Sequence, residues 1–386
     1  MTPSVSVITQ ALERSNLSLE YVADFVFGNE AKKFIAFVKS SNNSNLDIKY
    51  KDLSKIANKL QIPFGYLFLD KLPKENTKIP ELRRKNLDLP ISNVLKESIK
   101  NSEYKQLWYK DYLISMGEKE NFTQKHNNKD DIIKSIKGLI KFDSLPKDIY
   151  KATQKIISTL QNKNFLIFIA SSIDRKSKNK KIAMDDCRGY CLYDSYAPVI
   201  FLNNADSPRA KIFTILHELA HILYGENGIT TSNNQHSKIE KFCNEIASEI
   251  LVPKKFIIEK WDRNLTIIEN IESIEKECLA SKEAIATKAI NIKIISQKEY
   301  DEYKKYLESL PIKKYFPPHN EHKIPRRIIK ENSENFTRAI IVQTLNNNLD
   351  FSTAMGYLGI QEIKHFNVIK KRAKNMKNTY LIQISF

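Results

Sequence analysis

Apolar positions recur with a helical period along most of the chain. Residues 5–27 hold two short amphipathic runs. The second begins NLSLEYVADFVF, with Ser18 in position to cap it and Glu20 in its first turn. NEAKKFIAFVKSS predicts a third helix, and SNNSN (41–45) a loop. Over residues 49–69, Leu53, Ile56, Ala57 and Leu60 share one face, which predicts a fourth helix ending before Pro63. Several short helices in 1–72 fit a small helix-turn-helix bundle. Pro73, Pro80 and Pro90 mark a linker, and residues 91–163 read as polar helices interrupted by QKHNNKDD.

The period then changes. NFLIFIAS (164–171), RGYCLYD (188–194) and PVIFLN (198–203) carry strand signals. Two long amphipathic helices follow, then further helices over 264–310, a second linker at 311–323 and a helical tail at 332–376. The expected fold is α+β and mainly helical. An N-terminal helix-turn-helix bundle (1–72) precedes a linker and helical region (73–163). A core with a small antiparallel sheet (164–263), a small helical subdomain (264–310) and a basic helical C-terminal region (311–386) complete it.

Composition narrows the class. The 386 residues are 41% hydrophobic and 28% charged, as in soluble globular chains. The longest apolar runs, such as FLIFIA, fall far short of the ~20 residues that span a bilayer. The N-terminus lacks a basic region followed by an apolar core, so no secretory signal is expected. Cys187, Cys191, Cys243 and Cys278 are too few for a disulfide framework and are read as reduced, in a cytoplasm. The net charge of +17 favours acidic partners, nucleic acid first. It is uneven: residues 1–72 hold nine basic and seven acidic side chains, and residues 311–386 thirteen and five. DNA contact is therefore expected through the C-terminal region, and protein recognition through 1–72.

The candidate chemistry lies in FTILHELAHILYGENG (213–228). Ser207 followed by Pro208 starts a helix, and Gly225 stops it. Ile212, Leu216, Leu219 and Leu223 form one apolar stripe; Thr214, His217, His221 and Tyr224 form another. Both imidazoles thus project from one face, one turn apart, at a spacing that can bind one metal ion. Glu218 points about 100° from His217, so it can approach a water without being a ligand. A catalytic zinc needs a third protein ligand and an open position. HExxHxxGxxH is excluded, because Tyr224 and Asn227 stand where glycine and histidine would be required. The next helix, SKIEKFCNEIASEILVP (237–253), offers Glu240 beside the small residues Cys243 and Ala247, with Asn244 one turn on as a partner that could orient a ligand. Glu245, Glu249 and His236 are competitors for the third position. Tyr224 is a candidate transition-state stabiliser. Val199, Ile200, Phe201 and Leu202 are expected to form an edge strand that a substrate could extend.

These residues resemble the ImmA/IrrE metallo-endopeptidases, in their long form with an N-terminal helix-turn-helix of the xenobiotic-response-element type. The resemblance rests on DDCRGYCLYDSYAPVIFLNNADSPRAKIFTILHELAHILYGENGI (185–229) and on EKFCNEIASEILVP followed by Trp261. QIPFGYLFL (61–69) and SENFTRAIIVQTLNNNLDFSTAMGYLGI (333–360) extend it. It implies a zincin-like metallopeptidase core over 164–263, in a bacterial or phage-borne cytoplasmic peptidase with zinc (Zn2+) held by His217, His221 and Glu240, and Glu218 as the catalytic glutamate. It further implies a protein substrate, a helix-turn-helix repressor or antitoxin, whose cutting switches on stress or mobile-element genes. The competing expectation is a DNA-binding regulator whose zinc domain is a sensor or is inactive.

Overall fold

The structure, a computed structural model, describes residues 3–15, 17–39, 48–60, 62, 67–68, 70–72, 82–83, 91–120, 125–173, 181–225, 233–310, 324–360 and 362–373. The linker expected over 311–323 lies outside these residues, and so does that over 73–90 apart from residues 82 and 83. The chain divides into two compact units, Met1–Thr77 and Lys78–Phe386.

The first unit is helical: α1 (Val5–Ser15), α2 (Leu19–Phe27), α3 (Ala31–Lys39) and α4 (Tyr50–Leu60). Ser18 caps α2 by accepting from the Tyr21 N–H at 3.1 Å. Val7, Ile8, Val22, Phe34, Leu53 and Ile56 close its core, all of them essentially inaccessible to solvent. The apolar face read from 49–60 is the face that packs inward.

The second unit is built on a sheet of β1 (Leu82–Arg83), β2 (Leu166–Ala170), β3 (Gly189–Leu192) and β4 (Val199–Asn203), in the order β1-β3-β4-β2. β3 runs antiparallel to β1 and β4, but β2 pairs parallel to β4, with Leu166 opposite Val199 and Ala170 opposite Asn203. The sheet is therefore mixed rather than antiparallel. β2 and β4 are apolar on both faces, which is what a strand needs when helices cover both sides of the sheet.

Alternate side chains feed two cores. Ile167, Ile169, Ile200 and Leu202 pack with α6 (Lys129–Leu139), α7 (Ile149–Gln161), α8 (Pro208–Tyr224) and α9 (Asn233–Leu251). The same core continues into α10 (Lys254–Lys260), α11 (Ile267–Glu277), α12 (Lys282–Asn291) and α13 (Gln297–Ser309). Leu166, Phe168, Val199 and Phe201 face the other way. They meet α5 (Asn93–Ser115), α14 (Ile324–Asn332), α15 (Glu334–Leu345), α16 (Phe351–Leu358) and α17 (Ile363–Ala373). The C-terminal helices are thus part of the unit that carries the sheet.

The β2 edge is closed by side chains. The Ile167 N–H donates to Ser333 Oγ at 3.2 Å, and Asn335 Nδ2 donates to the Phe165 carbonyl at 3.0 Å. Ser333 takes a left-handed backbone (φ 64°), unusual for a residue with a Cβ, at the junction of α14 and α15. Fully buried and donating to Asn335, it closes the strand edge from that position.

Candidate metal centre

α8 begins and ends where its sequence dictates. Ser207 Oγ accepts from the Ala210 N–H at 3.3 Å, Pro208 opens the first turn, and Gly225 closes the helix in the left-handed region (φ 75°). Arg209 anchors this end to the following subdomain, donating to the carbonyls of Cys278 at 2.8 Å and Ala280 at 2.7 Å. Lys211 donates to the Asp206 carbonyl at 2.7 Å. With β3 and β4 on one side and α9 on another, both stripes of α8 are enclosed. His217 and His221 are only 1% and 2% exposed, and Glu218 is equally buried.

α9 supplies the third group. Cys243, Ile246 and Ala247 are buried, and the small side chains among them let the two helix axes approach. That contact turns Glu240 toward the histidines. Its carboxylate oxygens lie 3.4 Å from His217 Nε2 and 3.3 Å from His221 Nε2, and the two Nε2 atoms are 3.0 Å apart. The donor set fits a small cation. Four ligands at about 2.1 Å in a tetrahedron stand about 3.4 Å from one another, close to the spacings seen here. Burial pushes the Glu240 carboxyl up, but hydrogen bonds and charge from the two imidazoles outweigh it and hold the carboxyl well below the usual carboxylate range. Among the described residues these three side chains form the group of His, Cys, Asp or Glu able to hold a metal ion.

The competitors are engaged elsewhere. Glu245 pairs with Lys129 at 3.2 Å on the surface, and Glu249 with Lys288 at 2.5 Å. The His236 side chain lies outside the described residues. Asn244 is on the exposed side of α9, where no described hydrogen bond joins it to the three donors. The Tyr224 ring packs edge-on against Phe242, centroids 5.6 Å apart, so its described contact is a packing one.

One expectation is overturned. Val199, Ile200, Phe201 and Leu202 do not form an edge: β4 lies between β3 and β2, with ladder partners on both sides. Its backbone hydrogen bonds are used, so no further strand can add there. β3 packs against α8 together with β4, and its Gly189 is the residue that sequence reasoning passed over. A Cβ at Gly189 would overlap Thr214 Cγ2, lie 2.8 Å from the Phe201 carbonyl and lie 3.6 Å from Glu218 Oε1. A glycine inside a strand signals such a close approach, and the RGY sequence at 188–190 carried that signal.

No helix among the described residues is long and apolar enough to cross a membrane. Searches of curated proteins and of solved structures found no match to the chain. Residues 176–289 match the family model described as the IrrE N-terminal-like domain, Peptidase_M78. β3, β4, α8, α9 and all three donors fall inside that span. Over residues 176–289 the chain is thus similar to the IrrE N-terminal-like peptidases, which supports the ImmA/IrrE family and a metallopeptidase-like function.

Proposed function

We propose that the chain is a zinc-dependent endopeptidase whose substrate is a protein, a helix-turn-helix repressor or antitoxin controlling stress or mobile-element genes. The observation that carries the reading is the convergence of His217, His221 and Glu240, with Glu218 on the same helix. The donors are two imidazoles and a carboxylate, a set that suits zinc. When bound, the metal supplies a Lewis acid that polarises a carbonyl and acidifies a water. Glu218 is the general base: its carboxylate accepts the water proton and returns it to the leaving amine. The enclosure of α8 keeps bulk water from competing for that proton.

Residues 1–72 act as a docking unit for a substrate of similar helical fold. Their near-neutral balance of nine basic and seven acidic residues suits protein recognition. Any DNA affinity comes from the C-terminal region, where Lys370, Lys371 and Arg372 end α17. Four cysteines in 386 residues are too few for a disulfide framework, which suits a reducing cytoplasm.

The test is co-expression with helix-turn-helix proteins encoded beside this chain, followed by mass spectrometry of fragments. Glu218→Gln should keep metal and fold while fragment formation falls by about 10²–10⁴-fold. Undiminished cutting by that variant removes Glu218 from its assigned role.

A further inference from the structure

The two edges of the sheet differ. The β2 edge is closed by Ser333 and Asn335. On the other side the outermost strand is β1, which pairs with β3, and β3 packs against α8. The Asn203 N–H donates to the Arg188 carbonyl at 2.9 Å, which fixes the alternation between β3 and β4. Backbone groups of Arg188, Tyr190 and Leu192 turn toward β4, and those of Gly189 and Cys191 turn to the opposite side. Gly189 is also the residue whose missing Cβ leaves room for Thr214 and the Phe201 carbonyl, and a Cβ there would stand 3.6 Å from Glu218 Oε1. Its partner on the open side is Arg83, with Leu82 opposite Tyr190. Leu82–Arg83 therefore lies antiparallel to β3, about 4.8 Å away, with Arg83 opposite the glycine that packs against α8.

We infer that Leu82–Arg83 is a resident occupant of a strand-accepting edge, and that a protein substrate reaches the site by displacing it. This rests on the peptidase reading, because it assigns the β3 edge to the substrate's backbone. Three observations favour a latch over a permanent strand. β1 has two residues, so few hydrogen bonds hold it. Pro80 and Pro90 bracket the segment, and neither has an N–H to extend the ladder. The segment is covalently tethered, so a weak strand still competes through its high local concentration. The occupant fits by backbone alone. The matching partner is any extended segment that offers unpaired N–H and C=O groups, such as a loop or frayed terminus of the substrate.

The experiment uses the full chain with Leu82→Pro and Arg83→Pro together, which removes both amide donors from β1. Arg83→Lys, which keeps the backbone, is the control. Hydrogen exchange at the Gly189 amide should quicken by roughly tenfold in the proline variant, the weight of one or two net hydrogen bonds. Exchange at Tyr190, which faces β4, should stay as it is. A synthetic 78–90 peptide added in trans should slow Gly189 exchange again, in the Glu218→Gln background as well. With a protein substrate, KM should fall by roughly the same factor while kcat holds. Unchanged Gly189 exchange overturns the inference. So does exchange that spreads into β4, because β1 would then be structural. Cutting of the unaltered chain within 78–90 also overturns it, because the segment would be a substrate rather than a blocker. If exchange responds as stated but no variant cuts any protein, the peptidase reading fails and the occupied edge stands.

Discussion

The two faces of the sheet bury polar groups in opposite ways. On the face toward α5, the Tyr190 hydroxyl meets Ser102 Oγ at 2.8 Å and Ser98 Oγ at 3.1 Å. Gln106 Nε2 donates to the carbonyls of Leu192 and Ala197 at 3.1 and 2.9 Å. These neutral groups pair with one another and with backbone carbonyls, which ties α5 to β3. Burial pushes the Tyr190 phenol up and keeps it a neutral donor. On the face toward α8, two imidazole nitrogens and a carboxylate converge within 4.8 Å. A carboxylate has only lone pairs to offer, and each neutral imidazole has one as well. Matched donors and acceptors close one face as a core, whereas the three groups on the other could hold a cation.

That contrast can be broken in graded steps. The largest effect is expected from Glu218→Gln, with turnover reduced by about 10²–10⁴-fold and melting temperature unchanged. Glu240→Ala should abolish stoichiometric metal binding, read by elemental analysis. Glu245→Ala, which removes only the surface pair with Lys129, should leave metal content as it was. Metal loss on Glu245→Ala in place of Glu240→Ala would reassign the third donor. Gly189→Ala should destabilise the second unit by about 1–3 kcal/mol through overpacking against Thr214 and Phe201. Denaturant unfolding measures it, and a neutral result would mean that the strand and α8 separate easily.

Tyr190→Phe should cost about 1 kcal/mol, since it leaves two buried serine hydroxyls without the phenol. It should not touch metal content, which keeps the two faces distinct. The smallest effect is expected at Glu249. Burial raises its carboxyl, but the hydrogen bond from Lys288, with lesser help from the Lys254 amide, outweighs it, and the pKa is lowered. A carboxyl depressed in the folded state adds stability above its unfolded pKa and loses it as pH falls through the folded value. Lys288→Met should therefore reduce stability at neutral pH by less than about 1 kcal/mol, the group being partly exposed. The difference from the unaltered chain should shrink below pH 4, and melting curves at pH 7 and pH 3 would show it.

Much of α8 was legible because its determinants are local. Ser207, Pro208 and Gly225 act within one turn of themselves, and the four-residue spacing puts His217 and His221 on one face in any helix. The strands were legible as strands, since apolar runs of five residues bounded by turn residues have few other uses. Their direction was not. Whether β2 lies parallel or antiparallel to β4 depends on how the chain between them crosses the sheet, and periodicity carries no record of that. Placing β4 at an edge failed for the same reason: strand order is a long-range property.

The sequence by itself determined the helix that presents two imidazoles, the glutamate that stands off their face, and the short menu of carboxylates that could join them. Only the tertiary structure shows Glu240, and not Glu245 or Glu249, beside the two histidines, because that depends on how α9 is rotated about its own axis against α8. Burial of Cys243, Ile246 and Ala247 sets that rotation, bringing Glu240 to the histidines and leaving the other two to Lys129 and Lys288. The same packing required glycine at 189, against Thr214 and the Phe201 carbonyl, and set Leu82–Arg83 beside β3. Caps and periodicity act over a few residues, whereas these outcomes join segments up to about a hundred positions apart, where only the closing of a common core brings them together.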